Sequence, residues 1–213
     1  MTTRNAASMG SYGAEWTHRG YAGRGNVQPL LDVHAGRSGI VAGNAAGVFH
    51  EVADACRALG DPVIYAANDV GMYLPRVDHW CSLHEDKLPV WKAVRWGHVN
   101  RMEVTKYHGD DPRPFLDYAW EQLTPLFCLS GYFAMQLAWL MGCAPIVLCG
   151  CPGAPAPRFF EAAARPDFGY GSGTAGSDQG VQQQLLGEMD RLPDFKAAVR
   201  SMSGFTREVF GGL

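Results

Sequence analysis

Short unbroken apolar runs alternate along this chain with stretches whose apolar residues recur three or four positions apart. The first apolar run, SGIVAGN (38–44), closes on Gly43-Asn44. Val48, Val52, Ala55 and Leu59 follow at helical spacing, and Gly60 supplies a stop. This predicts a strand, a tight turn and a helix. DPVIYAAND (61–69) reads as a second buried strand ending at Asn68-Asp69, and VDHWCSLH (77–84) as a third. EDKLPVWKAVRWG (85–97) predicts a helix with Glu85 and Asp86 in its first turn, where acids suit the helix dipole. MEVTKYH (102–108) predicts a short strand, DDPRP (110–114) a loop and FLDYAWEQL (115–123) a short helix.

From Ser130-Gly131 to Gly142 the residues are apolar on nearly every face, which predicts a helix buried all round. APIVLCG (144–150) then reads as a central strand. DQGVQQQLLGEMDRLP (178–193) predicts a helix, FKAAVRSMSG (195–204) a last strand, and the remaining residues a tail. Continuous apolar strands alternating with helices belong to a parallel sheet covered on both faces. The expected fold class is therefore α/β, Rossmann-like, with a mostly parallel sheet. Residues 1–36 lack periodicity and read as an irregular arm; residues 37–213 read as one domain, with the Pro/Gly-rich stretch 152–177 as a mobile insertion.

Composition narrows the function. The 213 residues are 47% hydrophobic and 18% charged, with a formal net charge of −3. That balance weighs against a protein built to coat nucleic acid. A local basic patch stays open in the first 40 residues, which hold Arg4, Arg19, Arg24 and Arg37 against Glu15 and Asp32; a solvated tail explains them as well. The six cysteines form no CxxC pair, and no second pair completes a zinc site with Cys149 and Cys151, so no metal is expected to be required. No export signal is legible, which points to the cytoplasm; no run reaches the roughly 18 apolar residues of a membrane span.

In open α/β sheets ligands bind beyond the carboxyl ends of the strands. The polar residues there are Gly43, Asn44, Asn68, Asp69, Ser82, His84, His108, Ser130 and Gly131. Gly43-Asn44 precedes small residues and a helix start, which lets a backbone approach an anion, although a plain tight turn explains it equally. Asn68 can donate and accept, as a base edge or ribose demands; a turn cap uses the same capacity. Asp69 reads as a cap, or as a holder of a metal or proton. Ser130-Gly131 suits a phosphate or a simple cap. His84 and His108 are the candidate general bases, and either could instead be structural. Asp110-Asp111 reads as a solvated loop, with a divalent cation and diphosphate as the alternative.

In order, IVAGNAAG, VIYAAND, VDHWCSLH and LSGYFAMQLAWLMGCAPIVLCG resemble the bacterial and phage sialyltransferase-like superfamily, related to archaeal 6-hydroxymethylpterin pyrophosphokinase-like proteins. The resemblance covers roughly residues 38–151. It implies that Gly43, Asn44, Asn68, Ser130 and Gly131 hold a nucleotide. The catalytic His of those enzymes lies in a late region, and residues 152–213 contain no His, a departure from the family pattern; His84 and His108 are candidate bases by their places at strand ends, not by the resemblance. The implied function is a nucleotide-dependent transferase, foremost a glycosyltransferase with a nucleotide-sugar donor. The alternatives are pyrophosphoryl transfer with Mg²⁺, held by Asp69, Asp110 or Asp111, and a non-catalytic nucleotide-sequestering module. A homo-oligomer is left open.

Overall fold

A computed structural model describes residues 30–97, 106–111, 113–120, 129–154, 156–160 and 179–213. Seven strands form one all-parallel sheet: β1 (Gly39–Ala42), β2 (Val63–Ala67), β3 (His79–Cys81), β4 (Lys106–Gly109), β5 (Tyr118–Ala119), β6 (Ile146–Cys149) and β7 (Val199–Ser201). Their order is β5-β4-β3-β2-β1-β6-β7. Every pairing is parallel, and β1 sits in register between β2 and β6, with Ala42 opposite Ala66 on one side and Cys149 on the other.

The helices are α1 (Val48–Leu59), α2 (Leu88–Gly97), α3 (Ser130–Leu140), α4 (Gln179–Arg191), α5 (Pro193–Ala198) and α6 (Gly204–Phe210), with 3₁₀ turns at Asn68–Met72 and Glu85–Lys87. The strand pleat sends alternate side chains to opposite faces. Ile40, Ala42, Ile64, Ala66, Trp80 and Val147 bury with residues of α1 and α2; Val41, Val63, Tyr65, Ala67, Cys81 and Leu148 bury with α3, α4, α5 and α6. Two cores on one sheet explain the continuous apolar runs. Helix α3 is buried at all but Gly131 and Trp139, as its sequence predicts. Gly60 ends α1 with a left-handed φ of 80°, a conformation that needs no Cβ, and its N–H returns to the Cys56 carbonyl.

The fold differs from its sequence reading in four places. Leu116 and Trp120 have helical spacing, yet Tyr118–Ala119 is an edge strand; the Asp117 N–H and carboxylate both bond the Tyr107 backbone and draw this segment along β4. The expected last strand is a helix through Ala198, and only Val199–Ser201 pairs with β6. Residues 205–213 read as a tail in the sequence, yet Gly204–Phe210 forms α6, which buries Phe210. The end of the arm is ordered as well: Asp32 N–H and His34 N–H donate to the carbonyls of Leu140 and Met141, at 3.0 and 2.7 Å, and Leu30 is buried. Residues 1–29 of the arm, most of MEVTK and most of the 152–177 insertion lie outside the described residues. Among the described residues, no helix is long and apolar enough to cross a membrane.

Candidate functional site

The chain leaves β1 for β2 on one side, and much later places β6 on the other. Such a reversal opens a crevice at the carboxyl ends of the two central strands. Here two backbones close on each other. Gly43 N–H donates to the Cys149 carbonyl at 2.7 Å, and a Cβ on Gly43 would stand 2.5 Å from the Gly150 carbonyl oxygen. Gly150 is itself left-handed (φ 63°), and its N–H donates to Glu51 Oε2 of α1 at 2.7 Å. Gly131, opening α3, lies on the far side of Cys151: a Cβ there would meet the Cys151 sulfur at 3.3 Å. Glycine at 43 thus serves the close approach of two strand ends, rather than the approach to an anion that the sequence suggested.

The polar strand ends bond to one another. The Asn44 amide nitrogen donates to Asp69 Oδ1, and its oxygen accepts the Val70 N–H at 3.3 Å. This ties the loop after β1 to the turn after β2. Asn68 has a φ of 61°, a left-handed conformation that Asn adopts more readily than most residues. Its carbonyl accepts from Trp80 Nε1 at 2.5 Å, and its Oδ1 accepts from Ser82 Oγ at 2.9 Å. Ser82 Oγ in turn accepts the His84 N–H at 2.8 Å. Ser130 Oγ accepts the Leu83 N–H at 3.1 Å rather than capping its own helix, so it joins α3 to the loop after β3. The indole of Trp80 also lies against Gly71, where a Cβ would come within 2.3 Å of the ring. The buried Arg95 guanidinium closes this turn from beneath, donating to the carbonyls of Gly71 and Leu74.

Asp69 is wholly buried, and its Oδ2 has no hydrogen-bond partner among the described residues. Burial lifts its pKa to about 6, against the opposing pull of Arg158, Asn44 and Lys87. His84, half-buried, is held below the usual imidazole range first by burial and then by Lys87, with Arg158 adding to the effect. Lys87 and Arg158 therefore bear on the same acid and the same imidazole.

Arg158 was not legible as a site residue, because it lies in the Pro/Gly-rich insertion. Three backbone contacts bring it in: an antiparallel bridge to Ala45, Ala46 N–H to the Pro157 carbonyl at 2.8 Å, and Phe159 N–H to the Asn44 carbonyl at 2.9 Å. Phe159 then packs edge-on against Phe49 and Tyr73. The signal available in the sequence was one Arg followed by two aromatics, APRFF.

A carboxyl pair, Glu85 and Asp110, lies at the ends of β3 and β4. Glu85 Oε1 accepts the N–H groups of Asp110 and Asp111, at 2.8 and 3.2 Å. Burial alone would raise Glu85, but hydrogen bonds from the Asp110 side chain and from these backbone donors outweigh it and lower its pKa. Burial and the bond to Glu85 push Asp110 up to about 7, so the pair shares one proton.

Gly43, Asn44, Asn68, Asp69, Ser82, His84, Ser130 and Gly131 thus all belong to the carboxyl edge. His108 does not open onto it. It is wholly buried on the α3 face, and both ring nitrogens are engaged, one by Trp120 and one by His79. Among the described residues, no three His, Cys, Asp or Glu side chains gather as a metal site. No protein-family profile, curated protein or solved structure matches this chain.

Proposed function

We propose that the chain binds a nucleotide at the carboxyl edge of its sheet and transfers a group from it, foremost a sugar from a nucleotide-sugar. One observation carries the reading: Asp69 Oδ2 is buried without a partner among the described residues while Lys87 and Arg158 bear on it and on His84. An unpaired buried carboxylate oxygen is costly, and such strain collects where a ligand or a proton completes the site. Two cations beside it would balance a phosphate. The left-handed Asn68 offers an amide nitrogen for a base or ribose.

In this reading the acceptor hydroxyl attacks the anomeric carbon of the donor. A new C–O bond forms as the bond to the nucleotide phosphate breaks, and the phosphate leaves with the electron pair. The hydroxyl proton passes to His84, which its surroundings keep neutral, or to Asp69. Lys87 and Arg158 offset the charge that develops on the departing phosphate.

Calorimetry of the full chain against nucleoside mono- and diphosphates and their sugar conjugates, with and without Mg²⁺, tests the proposal. One nucleotide class should bind, and Arg158→Ala should weaken it by about tenfold, the worth of a charge-assisted hydrogen bond. Absence of binding across the panel overturns the reading. Binding with no transfer or hydrolysis of any conjugate would leave a sequestering module in place of the enzyme.

A further inference from the structure

Three imidazoles and an indole form a hydrogen-bonded row across the α3 face of the sheet. Trp120 Nε1 lies 3.1 Å from His108 Nδ1, His108 Nε2 lies 2.9 Å from His79 Nδ1, and His79 Nε2 lies 2.9 Å from His34 Nε2. Tyr65 stacks on His79 and Tyr118 on His108. The row starts at His34, half-buried in the turn that precedes β1, and ends at the buried Trp120.

The indole settles every proton in the row, because an indole nitrogen can only donate. His108 Nδ1 must therefore accept, and a neutral His108 carries its proton on Nε2. That proton is donated to His79 Nδ1, so neutral His79 carries its own on Nε2 and donates it to His34 Nε2. His34 is left with its proton on Nδ1 and its single basic lone pair already in use.

We propose that this row is a pH-sensitive latch: a solvent proton taken up at His34 Nε2 meets the N–H of His79 head-on, breaks the contact, and frees the turn that carries His34 from the body of the domain. The displaced proton cannot be passed inward. Shifting each tautomer in turn would put a proton on His108 Nδ1, against the Trp120 N–H, which has no lone pair to receive it.

The surroundings fit this role. Arg37 faces His34 from its own segment; Asp78 lies beside His34 and His79; Lys106 of β4 faces His79 and His108. Asp78 is the one carboxylate bearing on these rings among the described residues. It is already held by Arg76 at 2.9 Å and by the Ile64 N–H at 2.8 Å. Burial keeps all three imidazoles below their usual range, most strongly the inner two. The outermost, half-exposed ring is accordingly the one that titrates first.

Among the described residues the segment is also held by the backbone bonds of Asp32 and His34 to the end of α3, the Arg37 carbonyl to Ala144 N–H, an exposed Arg37–Asp61 ion pair, and the packing of Leu30 and Leu31 on the α3-face core, so the part set free is the turn that carries His34. The latch sits against the C-terminal end of α3, away from the carboxyl edge, and does not depend on the function proposed above.

Nitrogen-15 spectra of the imidazoles and hydrogen exchange of the 30–37 amides, both from pH 8 to pH 5, test it on the full chain. At pH 8, His79 and His108 should show protonated Nε2 and His34 protonated Nδ1. As His34 titrates, exchange at 30–37 should rise by tenfold or more relative to β1 amides, after correction for the intrinsic pH dependence. His34→Gln can still accept from His79 through its amide oxygen but cannot titrate, so it should keep the segment protected at every pH. Opposite tautomers, titration of His34 with no change in relative protection, or the same pH response in H34Q would each overturn the proposal. Should H34Q fail to fold, the tautomers and the wild-type exchange profile decide alone.

Discussion

The hydroxyl of Ser82 donates to Asn68 Oδ1 at 2.9 Å and so turns the Asn68 amide, leaving its NH₂ group without a partner among the described residues. The contact spans the ends of two neighbouring strands. It converts a residue in a left-handed turn into a donor fixed relative to the sheet.

Substitution at Asn68 separates the turn from the amide. Asn68→Gly keeps a φ of 61° without strain, whereas Asn68→Ala adds about 1 kcal/mol of left-handed strain to the lost Ser82 bond. Melting temperature should therefore fall more for N68A than for N68G. Nucleotide affinity, measured by calorimetry, should fall by about threefold to tenfold in both. An affinity that follows the melting temperature, falling in N68A alone, would make the residue a turn former and nothing more.

Asp69 makes the fold pay for a buried charge. Its folded pKa, about 6, lies above the value of about 3.8 expected when unfolded. The folded state thus holds a proton that the unfolded chain releases, and stability from this group is present below about pH 4 and lost as pH rises through 6. Asp69→Asn has the same shape and keeps an oxygen for Asn44. Urea unfolding should show D69N more stable than wild type by about 1–3 kcal/mol at pH 8, with the gap closing toward pH 4. Equal or lower stability of D69N at pH 8 would show that the carboxylate has compensation not seen in its contacts.

Much of this was legible in the residue pattern, and the exceptions share a cause. IVA, VIYAA and IVLC are buried on both faces, so their side chains announce a central strand. Tyr118–Ala119 pairs on one side only and has two residues, too few for a period to form. The ring at the carboxyl edge, His108 excepted, could be read because each member follows an apolar run; His108 follows one too, but its pleat turns it into the core. Arg158, Arg95 and the row joining His34, His79 and His108 could not, since each depends on contacts between segments 21 or more residues apart. No local pattern encodes such a meeting.

The two glycines at the parting of β1 and β6 set a steric limit. A methyl at Gly43 meets a carbonyl oxygen at 2.5 Å and the Cys151 sulfur at 2.6 Å, and the backbone of a central strand cannot retreat. Gly43→Ala should cost about 1–3 kcal/mol, the usual penalty of overpacking. Gly47→Ala is the control: its φ of 89° adds strain, but nothing lies within 4 Å of the new atom. Thermal unfolding should place G43A below G47A; the reverse order would mean that β1 and β6 separate at little cost.

The indole of Trp80 and the bare backbone of Gly71 bind two sequence positions into one. A chain of this fold with any side chain at position 71 must have given up the large ring at position 80, because both cannot occupy the same space. With the ring goes the N–H that holds the Asn68 carbonyl. The pair is therefore inherited together or lost together, and a homologue that varies at 71 alone would need a different turn after its second strand.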